Sequence, residues 1–88
     1  MPVPHALTIS HSRVAPPERT ALFERLAARR ASYVAAGCHY WAFENPLAPG
    51  DITEFAEAAD VATLERAHHA VKDPLPGATH ILHEVEFS

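Results

Sequence analysis

Apolar residues recur along this chain at two periods, and the switches between them mark out its elements. Between His5 and Val14 the period is two. His5, Leu7, Ile9 and His11 fall on one side and Ala6, Thr8, Ser10 and Ser12 on the other, which predicts a strand. Pro16 and Pro17 stop it, and proline suits a helix's first turn, where Glu18 complements the dipole. From about Pro17 to Ala36 the spacing becomes three and four. Leu22, Phe23, Leu26, Ala27, Tyr33 and Val34 then form an apolar stripe, with Glu18, Glu24, Arg25, Arg29 and Ser32 mostly on the solvated side. Gly37 reads as a left-handed cap.

Residues 38–44 (CHYWAFE) are short and aromatic, as a strand would be, and 51–58 (DITEFAEA) make a second. Between them Asn45-Pro46-Leu47-Ala48-Pro49-Gly50 is a turn. A symmetric turn pairs Glu44 with Asp51, Phe43 with Ile52, Trp41 with Glu54 and His39 with Ala56. One face then carries His39, Trp41, Phe43, Ile52 and Glu54, and the other Tyr40, Ala42, Thr53, Phe55 and Glu57. Asp60 is an N-cap for a helix from Val61 to about Lys72, whose inward stripe is Val61, Leu64, His68 and Val71. Asp73 to Gly77 is a loop. Thr79 to Phe87 alternates again, with Ile81, His83, Val85 and Phe87 on the inward side.

The resulting order, βαββαβ, predicts an α+β chain of ferredoxin-like pattern: one four-stranded antiparallel sheet with both helices on one side. Its 88 residues (1–88) make a single domain with a modest core. The uncovered sheet face is not uniformly polar, so pairing with a second copy across a two-fold axis is expected.

Composition narrows the function classes. Apolar content of 48% with 20% charged residues fits a globular protein rather than a disordered one. A net charge of -4 disfavours nucleic-acid binding, and no apolar run is long enough to span a membrane. The N-terminus (MPVPHALTIS) lacks the basic and apolar regions of a secretory signal, and Cys38 is the only cysteine. A cytoplasmic location is the expectation. The three glycines stand isolated at element ends, so no phosphate-cradling loop exists.

The element order, the length and the run ITEFAEAADVATLERAH resemble the dimeric α+β barrel superfamily, which includes the antibiotic-biosynthesis-monooxygenase-like (ABM-like) proteins. The resemblance covers nearly the whole chain. It implies a homodimeric barrel with a pocket between sheet and helices, and cofactor-independent monooxygenase-like chemistry on a small aromatic, quinone-type or polyketide-like ligand. A non-catalytic small-molecule-binding dimer, or a polyketide cyclase or isomerase, is the alternative. The haem-degrading branch fits less well. Thr8 and Ser10 stand on the first strand, Phe55 on the third and Trp41 on the second, where that branch has other residues.

Seven histidines invite an acid-base or metal reading. With the symmetric hairpin, His39, Trp41 and Glu54 share a face. The carboxylate would orient the imidazole, while Trp41 and Phe43 would wall an aromatic substrate. His68 and His83 each interrupt an apolar stripe and need a partner or a ligand. His68 or His39 is therefore the expected base, Glu54 its orienter, and Trp41, Phe43 and His83 the substrate wall. No metal is expected. His68 and His69 diverge on a helix, His80 and His83 fall on opposite strand faces, and His5 and His11 stand about 20 Å apart on a strand. No cofactor is expected either. Against these roles stands the plainer reading, in which the aromatics are core, Glu54 is exposed and the histidines are satisfied by backbone or water.

Overall fold

The computed structural model describes residues 4–87; the N-terminal leader reading rests partly on Met1–Val3, which lie outside them. The elements are β1 (Ala6–Arg13), α1 (Arg19–Ala35), β2 (His39–Glu44), β3 (Asp51–Ala58), α2 (Val61–Ala70) and β4 (Leu82–His83), with a 3-10 turn at Pro16–Glu18 leading into α1. The strands form one antiparallel sheet in the order β2-β3-β1-β4, an α+β arrangement compatible with the ferredoxin-like pattern. Both helices cover the same side, where Tyr33 of α1 and Leu64 and Ala67 of α2 pack with Ala6, Tyr40, Ala56 and Ala58 of the strands. Small residues on β1 and β3 leave room for the large helix side chains. No helix among the described residues is long and apolar enough to cross a membrane.

Helix α1 buries Leu26, Arg29 and Tyr33, with Leu22 partly covered beside them. Residues 22, 26, 29 and 33 keep the four-three-four spacing of one face, so Arg29 lies inside, not on the solvated side expected for it. Phe23 and Val34 are correspondingly turned outward, and the Phe23 ring carries the Arg19 guanidinium 4.3 Å from its centre. The helix ends at Gly37 (φ +86°), with the Cys38 N–H returning to the Tyr33 carbonyl at 2.9 Å. Asp60 caps α2 by accepting from the Thr63 N–H at 2.7 Å, as its sequence position predicts. Leu64, Ala67 and His68 are buried, but Val61 is half-exposed.

The β2–β3 hairpin departs from the symmetric pairing by one residue. His39 lies opposite Glu57, Trp41 opposite Phe55, Ala42 opposite Glu54 and Glu44 opposite Ile52. The cause is the turn. The Asn45 N–H bonds the Asp51 carbonyl at 3.0 Å, so the loop closes on Asn45 instead of Glu44. The Asn45 side chain accepts the Leu47 N–H at 2.9 Å, and Gly50, at φ +90°, donates to Glu44 at 2.9 Å. Because strand side chains alternate, this slip moves Glu54 to the opposite face from His39, Trp41 and Phe43. Tyr40, Ala42, Ile52 and Glu54 face the helices.

β4 is shorter than the pattern from Thr79 to Phe87 predicts. Leu82 and His83 alone ladder with Leu7 and Ala6, after which the chain runs past the start of β1. His83 is exposed there and not inward; Val85 and Phe87 are exposed as well. The sheet face away from the helices carries Leu7, Ile9, Trp41, Phe43 and Phe55, of which Ile9, Trp41 and Phe43 are 45%, 44% and 58% exposed.

Candidate functional site

Two polar assemblies are built into the layer between sheet and helices. The first centres on His68. Thr8, on the helix-facing side of β1, donates its one hydroxyl hydrogen to the His80 carbonyl at 3.0 Å. Its oxygen can therefore only accept from His68 Nε2, 2.9 Å away. That leaves His68 Nδ1 as an acceptor, filled by the Tyr33 hydroxyl at 2.6 Å, while the Tyr33 oxygen takes the Leu75 N–H at 3.1 Å. The hydrogens thus run in one direction, from Leu75 through Tyr33, His68 and Thr8 to His80, with the imidazole neutral. Burial lowers the His68 pKa, and the neighbouring His69 adds to the shift, in agreement with that neutral state. Burial also pushes the Tyr33 hydroxyl pKa up. Both ring nitrogens of the expected base are occupied.

The second assembly centres on Glu54. Its Oε1 accepts from Arg29 Nη1 and from the Tyr40 hydroxyl, each at 2.5 Å, and Arg29 and Glu54 are both almost fully buried. Arg29 also donates through Nε to the Asp73 carbonyl at 2.8 Å, and its Nη2 lies 3.2 Å from the Asp73 carboxylate. Arg25 grips the same carboxylate with two bonds of 2.6 and 2.8 Å. Hydrogen bonding from Arg25, supported by Arg29, holds the Asp73 pKa down at about 2. For Arg29 itself burial works against the charge, but the bonds and fields of Glu54 and Asp73 outweigh it and the pKa is raised. Burial and the adjacent Glu54 push the Tyr40 pKa upward, so Tyr40 stays protonated and donates to Glu54.

Glu54 and Arg29 also line an open cleft of about 450 Å³ between the end of β1, α1 and the loop at Pro76. No hydrogen bond among the described residues reaches Glu54 Oε2. Directly across the β1–β3 ladder from Glu54 stands Ser10, 5% exposed, whose hydroxyl has no partner. The cleft therefore offers one immobilised carboxylate with a free oxygen, while the Ser10 hydroxyl behind it is buried and does not line the cleft.

The other residues singled out from sequence lie elsewhere. His39, Trp41 and Phe43 share the open sheet face. His39 bonds Glu57 at 3.0 Å, its ring is 5.7 Å from Trp41, and Phe43 meets Phe55 edge-on at 5.6 Å. The His39–Trp41–Glu54 set does not assemble. His68 and His83 do not share a pocket: His68 borders a depression with Thr79 and Ile81, and His83 one with His5 and Glu57. Cys38 is buried, which raises its pKa. Among the described residues no three histidine, cysteine or acidic side chains converge as a metal ion requires. Sequence reasoning missed the burial of Arg29 and its pairing with Asp73. The available signal was an arginine at position 29 of a 22/26/29/33 stripe, which demands a buried acid.

A scan against protein-family models finds no match for the chain, and searches of the curated proteins and of the solved structures find none.

Proposed function

We propose that this chain is a homodimeric, ABM-like enzyme that takes a small phenolic or enolic compound into the cleft of each protomer and withdraws a proton onto Glu54. The observation that carries the reading is the asymmetry of the Glu54 carboxylate. Arg29 and Tyr40 fix Oε1, while Oε2 is unbonded on a side chain that lines the cleft. A carboxylate positioned in this way is a proton acceptor held ready for a hydroxyl or an acidic C–H. The resulting anion is electron-rich and can reduce oxygen directly or rearrange, so oxygenation of a quinol and isomerisation share the first step. Glu54 takes the role of base, His68 holds Tyr33 and Thr8 in place, and Trp41 and Phe43 belong to the dimer face.

The test separates the step from its outcome. Deuterium exchange into an enolisable ketone, followed by NMR, reports proton withdrawal, and oxygen uptake with model quinols reports oxygenation. Glu54→Gln is expected to cut either rate at least a hundredfold, in line with the loss of a positioned general base; His39→Ala leaves it unchanged. A Glu54→Gln protein that folds and keeps the native rate removes this mechanism. Binding of the probes with no exchange and no uptake supports a non-catalytic binding protein.

The dimer is supported by the one-sided layer. The apolar surface of Ile9, Trp41, Phe43 and Phe55 is self-complementary in kind, and a two-fold axis would bury it against itself. Sedimentation should show a dimer at micromolar concentration and a folded monomer for Trp41→Asp. A monomeric native protein would refute it.

A further inference from the structure

The two polar assemblies are joined by their tyrosines, the only two in the chain. The Tyr33 and Tyr40 rings stack with their centroids 6.0 Å apart and their planes 15° from parallel. Both rings are buried, Tyr33 completely. Their hydroxyls point to different acceptors. Tyr40 donates at 2.5 Å to the Glu54 oxygen that already accepts from Arg29, whereas Tyr33 donates at 2.6 Å to His68 Nδ1. That nitrogen belongs to a neutral imidazole, so it is a base to which the Tyr33 proton can pass. A line of aromatic and polar groups thus runs from Glu54, on the cleft, through Tyr40 and Tyr33 to His68.

We infer that Tyr33 is a one-electron donor, passing its electron through Tyr40 to a radical oxidant in the cleft and its proton to His68. The class of oxidant is an organic peroxyl radical, which forms when oxygen adds to a carbon radical. In the step the peroxyl radical gains one electron and becomes a peroxide anion, which takes a proton from the water of the open cleft. Tyr33 loses the electron, its O–H bond breaks, and a new N–H bond forms at His68 Nδ1. The products on the protein are a neutral tyrosyl radical and an imidazolium. Oxidising a phenol is easier when the proton leaves with the electron, because a phenol radical cation is a far stronger acid than any imidazolium. His68 therefore takes the proton even though burial lowers its pKa. Tyr40 has the poorer acceptor, since its carboxylate oxygen is shared with Arg29, so it passes the hole on. Burial then protects the Tyr33 radical from coupling with another molecule. The source of the oxidant rests on the oxygenation reading of the cleft; the redox activity of Tyr33 rests on the interior geometry alone.

Photogenerated ruthenium(III) tris-bipyridine, a one-electron oxidant, tests the inference with electron paramagnetic resonance as the readout. Trp41 is exposed and would be oxidised first, so the full chain is used as Trp41→Phe, which leaves the two tyrosines as its only phenols. The expected result is a long-lived neutral tyrosyl radical. Tyr40→Phe should keep that radical but slow its rise, and Tyr33→Phe should lose it. His68→Gln separates proton transfer from packing. A glutamine carbonyl still accepts from Tyr33 and its amide still donates to Thr8, but it cannot take up a proton. That variant, shown to be folded by circular dichroism, should form the radical at least about tenfold less. No tyrosyl radical in the Trp41→Phe chain, or an undiminished one in Tyr33→Phe or His68→Gln, overturns the inference. A rise unaffected by Tyr40→Phe overturns the route through that ring. A Tyr33 radical without oxygen uptake on quinols keeps this inference while the oxygenation reading falls, and uptake without the radical does the reverse.

Discussion

Glu54→Leu is expected to lower the stability of the fold by about 3–5 kcal/mol, the usual cost of stranding one partner of a buried ion pair. The reason is local. Arg29 is 3% exposed and would keep its charge without its closest counter-ion, and the Tyr40 hydroxyl would lose its acceptor. Asp73 offsets only part of this, because its carboxylate is more than a third exposed and already bonded to Arg25. Adding Arg29→Met to Glu54→Leu should recover a large part of the loss, since two apolar groups can occupy the space of a buried pair at little cost. A double-mutant cycle by urea unfolding gives the coupling directly. A cost below about 1 kcal/mol for the single change would mean that the pair is solvated, contrary to its burial.

The second large effect concerns acid. His68 has its pKa depressed in the folded protein, whereas in the unfolded chain it returns to about 6.5. Below that value the unfolded chain binds a proton that the folded one refuses, so stability is full above about pH 6.5 and falls as pH drops toward the folded pKa. The slope is at most about 1.4 kcal/mol per pH unit for one proton. Asp73, Glu44, Glu57 and Asp60 also have depressed pKa values, but their contributions are present above the unfolded carboxylate range and are lost only below about pH 4. As pH falls from neutral, the His68 window is therefore entered first. Urea midpoints between pH 7.5 and 5 should therefore fall for the native chain and change less for His68→Leu, which starts from a lower stability. Parallel slopes for the two proteins would mean that another group governs this window.

The elements were legible where one local signal decides them. Asp60 announces a helix start and acts as one, because a capping bond needs only its own next three residues. Gly37 closes α1 for the same reason. The hairpin failed on a subtler point. Proline and glycine mark a turn between residues 45 and 50, but whether it closes on Glu44 or Asn45 depends on backbone bonds inside the loop. That single residue decides which face Glu54 occupies, and so the whole composition of the candidate site. Arg29 was misread because charge suggests solvent, and only the carboxylate from a distant strand makes its burial affordable. The strand from Thr79 to Phe87 was overextended because its alternation is real but β1 offers it only Ala6 and Leu7 to pair with.

The bonds through His68 begin and end in the connection between α2 and β4, at Leu75 and His80. That connection has no helix or strand of its own, yet its two ends are fastened to α1, α2 and β1 together. It cannot peel away from the sheet without breaking the polar chain in the core. In thermodynamic terms the segment is then part of the same cooperative unit as the helices. Opening it should require nearly the whole unfolding free energy, while the residues beyond Glu84 exchange their amide hydrogens freely. A stretch that looks like a loop in outline is thereby expected to exchange like an element of the core.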